Sequence, residues 1–210
     1  SHSSTSCIRF KFPSKKTPFF VERKALYERM EAGFRSLNQL TLWGLSGMGK
    51  SQLACQYLQN EYATDGYALV GRIHGSRVSA DLISLGEKAF GYKSSELLDI
   101  EKAKDVVNFL SDEFSGLTKK PKRCLLLYDD VRAEEDLTDL IPSLSVFRVL
   151  ITSTNKQNWP NPLEITKMDY SKEALPLFNK IRIKPEGASE EELTKLIVQD
   201  LDCYPLAIVQ

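Results

Sequence analysis

Two hydrophobic periods interleave along this chain. Short apolar runs rich in branched and aromatic residues alternate with stretches whose apolar positions recur every three or four residues. The runs Gln39–Trp43, Tyr67–Ile73, Cys124–Tyr128 and Phe147–Thr152 predict strands, and Leu163–Ile165 a shorter one. Between them, helical spacing predicts Ser51–Tyr62, with Leu53, Ala54, Tyr57 and Leu58 on one face, and Ser79–Phe90, carrying Leu82, Leu85 and Ala89. It also predicts Glu101–Phe114, with Val106, Val107 and Leu110 inward, and a short helix near Glu134–Leu140. A helix from about Val21 to Phe34 precedes them, with Leu26 and Met30 inward. Cys124–Tyr128 is apolar without interruption, as suits the middle of a parallel sheet covered on both faces. Repeated βα units imply an α/β fold with a doubly wound parallel sheet.

Both ends differ in character. Residues 1–18 are rich in Ser, Lys and Pro and are expected to be a leader or cloning-derived segment, in which the alternation of Ile8, Phe10 and Phe12 predicts a short edge strand. From about residue 168 the pattern turns helical, with helices expected at Ser171–Lys180 and Ser189–Asp200, a break at Pro185-Glu186-Gly187 and a further start near Pro205. Residues 19–167 are therefore expected to form one α/β domain, and 168–210 the truncated start of a small helical subdomain.

The segment Gly44-Leu45-Ser46-Gly47-Met48-Gly49-Lys50-Ser51 carries the chemistry, because it fits G-x-x-x-x-G-K-[ST] at every fixed position. Glycines let the backbone curl so that successive N–H groups face phosphate oxygens. The lysine at position 50 is the expected partner of the β- and γ-phosphates, and the Ser51 hydroxyl a ligand for Mg²⁺. A predicted strand enters the loop, and the helix predicted from Ser51 leaves it with its positive dipole end beneath the phosphates, so that Gln52 in its first turn is also expected to border the nucleotide. The strand Cys124–Tyr128 ends in Asp129-Asp130. It would deliver both carboxylates to the C-terminal edge of a parallel sheet, where the loop also sits. One can hold Mg²⁺, in part through water, and the other can orient and deprotonate an attacking water. A turn with a helix cap is the competing reading of this pair.

Bulk composition narrows the classes. The chain has 210 residues and equal counts of acidic and basic side chains, 28 each. That balance argues against a dedicated nucleic-acid binder, and the basic run Lys119–Arg123 reads as a solvated loop. The four cysteines are widely spaced, so free thiols are expected, and with two histidines a Cys/His metal site is not. No apolar run approaches membrane-spanning length and no signal peptide is visible, which together predict a reducing, cytoplasmic setting.

Gly44–Ser51, Leu125–Val131, Val149–Thr154 and Tyr204-Pro205-Leu206-Ala207, in this order, resemble the NB-ARC domain. That domain is the P-loop nucleotide-binding module of plant disease-resistance proteins, animal apoptotic activators and bacterial STAND proteins. The resemblance runs from about Phe19 to the end. It implies a three-layer α/β/α P-loop NTPase fold that binds ADP or ATP with Mg²⁺. By it, Asp129 holds the metal and Asp130 is the catalytic carboxylate. Phe20, Val21 and Arg23 fall in the adenine-side motif, although Glu22 and Lys24 replace the usual Gly and Glu around the arginine. Pro205 matches the proline that packs near the nucleotide, with Cys203-Tyr204 before it in place of Gly-Leu. Thr154 stands where the family places an arginine that senses the γ-phosphate, and a threonine supplies no cation.

These features lead to an expected role as an ADP/ATP switch with slow hydrolysis at most. Its partners would be the nucleotide, flanking effector and sensor domains and, in the active full-length protein, further copies of itself; the isolated chain is expected to be monomeric. The alternatives are a P-loop phosphotransferase and a scaffold holding a purely structural nucleotide.

Overall fold

The structure, a computed structural model, describes residues 7–13, 21–64, 66–93, 98–115, 123–156, 158–181, 194–195, 197–199, 201–205 and 208. Strands β1 (Ile8–Phe10), β2 (Gln39–Trp43), β3 (Tyr67–His74), β4 (Arg123–Asp129), β5 (Phe147–Ser153) and β6 (Pro162–Glu164) form one sheet in the order β1-β3-β4-β5-β2-β6. Every neighbouring pair is parallel. Helices α1 (Lys24–Ser36), α2 (Lys50–Tyr62), α3 (Val78–Phe90) and α4 (Asp99–Ser115) cover it. Each expected strand and helix up to residue 165, apart from the one near Glu134–Leu140, is present within a few positions, and β1 is the expected edge strand. The Glu134 segment is a short 3₁₀ turn, Glu134–Leu137.

Side-chain alternation along β4 divides the two helical layers. Cys124, Leu126 and Tyr128 pack with α3 and α4, whereas Leu125 and Leu127 pack with α1 and α2. All five are fully buried. Each leucine contributes about 1.5–3 kcal/mol on leaving water, so β4 anchors both halves of the core. The two layers with the sheet between them make the three-layer α/β/α sandwich.

On the α1/α2 face, three adjacent strands change from apolar to polar near their C-terminal ends, β3 one pair earlier than β4 and β5. Val70 is followed by Arg72 and His74, Leu127 by Asp129, and Leu150 by Thr152. The polar members gather at the C-terminal edge of the sheet, next to the start of α2.

Beyond residue 165 a smaller cluster takes over, in which Met168, Ala174, Leu177, Val198 and Ile208 pack with Val21. The helix expected from Ser171 begins as a π turn, Tyr170–Ala174, and continues as α5 (Leu175–Ile181). Pro176 accounts for the difference. It has no N–H and its ring crowds the preceding turn, which the wider turn accommodates. The Asp169 side chain caps this start by accepting from the Lys172 N–H at 2.8 Å. Most of the Ser189–Asp200 helix and the Pro185–Gly187 break lie outside the described residues, as do Phe19, Phe20, Lys119–Lys122, Leu206 and Ala207. No helix among the described residues is long and apolar enough to cross a membrane.

Candidate functional site

The loop between β2 and α2 curls on its glycines. Gly44, Gly47 and Gly49 all have positive φ, and Gly49 adopts the left-handed conformation immediately before the first helical residue, Lys50. At Gly44 the need is doubly strict. A Cβ there would lie 2.4 Å from the Ile165 carbonyl oxygen, while the Ile165 N–H donates to the Trp43 oxygen at 2.7 Å.

Lys50 is 7 % exposed and its Nζ donates to the Gly44 and Leu45 carbonyls, both at 2.7 Å. Burial lowers its pKa, against the opposing pull of Asp130 and Asp129. The ammonium is thus held inside its own loop beside two carboxylates.

The loop faces a cleft of about 460 Å³. Ser46, Gly47, Met48, Gly49, Lys50, Ser51 and Gln52 line it from the loop, and Asp129, Asp130, Thr152 and Thr154 from the sheet edge. Val21, Arg23, Met168, Leu177 and Pro205 line its far side. Gly44 and Leu45 are not on its wall; they serve the site through the carbonyls that hold Lys50, and the Leu45 side chain points to solvent. Phe20 lies outside the described residues.

Asp129 is buried at the C-terminal end of β4. Its Oδ1 accepts from the Thr152 hydroxyl at 2.7 Å, and its Oδ2 accepts from Arg72 Nε at 3.0 Å and Nη2 at 2.5 Å. Burial would raise the Asp129 pKa, but the Thr152 bond, the nearby Ser51 hydroxyl and the Arg72 charge overcome it and hold the carboxyl below the usual range. It is ionised at neutral pH. Asp130 follows in a left-handed conformation (φ 62°), exposed, with its N–H donating to Thr152 Oγ1 at 2.8 Å. The Gly75 α-carbon packs against this turn so closely that a Cβ would meet the Asp130 carbonyl oxygen at 2.2 Å.

Arg23 is buried at the start of α1 and acts as a strut. It donates to the Met48, Thr166 and Lys167 carbonyls at 3.3, 3.0 and 3.3 Å and pairs with Glu173 at 3.1 Å. The phosphate loop, the exit of β6 and the π turn are thereby joined through one guanidinium. Thr154 is exposed at the rim beyond β5, and Pro205 is buried on the opposite wall.

Hard oxygen donors from Ser51 and Asp129, side by side beneath a loop of inward-curled backbone, fit a small oxygen-seeking cation such as Mg²⁺ shared with phosphates. The neighbouring open space fits the phosphates themselves, since a Cβ built on Gly49 meets nothing within 4 Å.

Sequence reasoning missed Arg72, His74, Thr152, Met168 and Leu177. For Arg72 and His74 a signal existed, because they break an apolar strand at alternate positions on one face just before its end.

No family model matches the chain, and no curated protein does either. Solved structures do. The Walker-type ATPase PABY2304 of Pyrococcus abyssi superposes with a TM-score of 0.52 at 12% identity, over 92% of this chain and 69% of that one. PCH-2 of C. elegans gives 0.56 at 13% identity, over 91% of this chain and 62% of its own. A chain of Drosophila ORC, in a structure bound to DNA, gives 0.59 at 13% identity, over 97% and 55%. This chain therefore spans less than two thirds of the last two. At these identities the likeness is one of fold, and the fold is that of P-loop ATPases.

Proposed function

We propose that this chain is an adenine-nucleotide switch module of the NB-ARC/STAND type, which binds ADP or ATP with Mg²⁺ and hydrolyses ATP slowly at most. The observation that carries the reading is the cleft's two-sided wall. Its floor is the phosphate loop with Lys50, Ser51 and Asp129, while Met168, Leu177 and Pro205 of the helical segment form the opposite side. A ligand in contact with both sides biases their relative arrangement by whatever its contacts differ between states. In this reading Lys50 and the loop N–H groups hold the phosphates, Ser51 and Asp129 hold Mg²⁺, and Asp130 orients and deprotonates water. Val21 and Arg23 border the base side, Arg23 mainly by bracing the loop. In the longer protein the switch would govern self-association of flanking domains in defence or cell-death-type signalling in the cytoplasm, with residues 19–167 as the nucleotide domain and 168–210 as the helical part.

A scaffold with a structural nucleotide is the second reading, favoured by Thr154, which offers no cation at the rim. Displacement of a fluorescent ADP analogue by ATP separates the two. Exchange within minutes, with Mg²⁺ favouring ATP, supports the switch, whereas ADP that fails to exchange over hours supports the scaffold.

A further inference from the structure

An ionised carboxylate has about four acceptor sites. Arg72 fills both of those on the Asp129 Oδ2, and Thr152 one of those on Oδ1. A metal ion, or a water bound to one, gains access to Oδ2, and so to the whole carboxylate, only when Arg72 leaves. The two hydroxyls beside the carboxylate are fixed. Thr152 is 1 % exposed, sits in β5 opposite Leu42, and its oxygen is also engaged by the Asp130 N–H. Ser51 is placed by the phosphate loop and would itself be a ligand. Arg72 is the exception, with a long side chain that is one-third exposed and lines the cleft. Its other neighbouring carboxylate, Asp81, already accepts from Lys11 and from the His74 N–H. A guanidinium that leaves Asp129 therefore faces the cleft, where Asp130 and a bound polyphosphate are the remaining anions.

We infer that Arg72 is the exchangeable cation of this site: it neutralises Asp129 in the metal-free state, yields that carboxylate to Mg²⁺, and then turns its planar fork to the terminal phosphate. This rests on the nucleotide-binding reading and deepens it, since it puts the cation that Thr154 does not supply on β3. Two consequences are opposite in sign. Arg72 competes with Mg²⁺ for Asp129, and Arg72 favours the nucleotide with the extra phosphate. A residue serving only to brace the strand would produce neither.

The test is fluorescence titration of the wild-type chain and of Arg72→Gln and Arg72→Lys with ADP and ATP, each with and without Mg²⁺. In Arg72→Gln, Mg²⁺ should strengthen ADP binding on the order of threefold more than it does in wild type, because a partly exposed competing ion pair is gone. The preference for Mg²⁺-ATP over Mg²⁺-ADP should fall about tenfold, through loss of charge-assisted bonds to the third phosphate. Arg72→Lys, which keeps the charge without the fork, should lie between the two and serves as the folded variant should glutamine destabilise the chain. If wild type binds nucleotide and both ratios stay within twofold in both variants, Arg72 is a strut and the inference is wrong. If wild type binds no nucleotide, the inference falls together with the reading beneath it.

Discussion

Replacing Lys50 with methionine keeps most of the side chain's length and removes its charge and donors. In the free chain the cost is small, although two hydrogen bonds of 2.7 Å are lost. Such charge-assisted bonds contribute about 1.5–3 kcal/mol each. Against that stands the desolvation that already lowers the Lys50 pKa, and the exposed position of Leu45, which leaves its carbonyl open to water. The net loss should be about 1 kcal/mol, equivalent to roughly 2–4 °C in melting temperature for a chain of this size. The effect on ligand is larger. At nucleotide about a hundred times its Kd, binding stabilises wild type by about 2.7 kcal/mol and raises its melting temperature by roughly 5–10 °C. Loss of the cation that meets two phosphates should weaken binding about a hundredfold, again about 2.7 kcal/mol. The same nucleotide concentration then equals the mutant's Kd, where linkage leaves about 0.4 kcal/mol and a shift of roughly 1 °C. Differential scanning fluorimetry with and without ADP reads both numbers. A mutant whose ligand-induced shift matches that of wild type would refute the assignment of Lys50.

Two further substitutions and a proton linkage probe neighbouring parts. Asp130→Gly should leave the melting temperature unchanged or raise it, by up to about 1 kcal/mol of relieved left-handed strain, while abolishing any ATP turnover; a clear loss of stability would make Asp130 structural. Gly75→Ala should cost about 1–3 kcal/mol and slow turnover with little change in ADP affinity, because its Cβ displaces the Asp130 backbone and leaves the loop untouched. Lys50 also predicts proton linkage. Burial lowers its pKa from 10.5 in the free chain, and a phosphate beside it favours the ammonium and raises it again. At alkaline pH between the two values nucleotide binding should take up a proton, seen by calorimetry in buffers of different ionisation enthalpy and absent in Lys50→Met.

The parts that sequence reveals here are those whose physics is local. Gly44–Ser51 is legible because each fixed residue answers a backbone or phosphate requirement within the loop. The strands are legible because a sheet covered on both faces needs unbroken apolar runs, as Cys124–Tyr128 provides. Arg72 is legible only as a polar break near the end of an apolar strand, since nothing local says that β4 brings Asp129 alongside it. Arg23 is legible as a helix-start residue, yet its partners Met48, Thr166 and Glu173 come from three separate segments. The π turn before Pro176 depends on a conflict between helix continuation and a missing N–H, which periodicity alone does not register.

The central claim, that the cleft binds the phosphates and metal of an adenine nucleotide, is tested most directly by calorimetric titration of the purified chain with ADP, ATP and GTP, with and without Mg²⁺. One-to-one binding of ADP and ATP is predicted, tighter than GTP, with Mg²⁺ strengthening ATP. Asp129→Asn should remove that strengthening while metal-free ADP binding survives. The absence of binding heat with every nucleotide, or an Mg²⁺ effect that persists unchanged in Asp129→Asn, would contradict it.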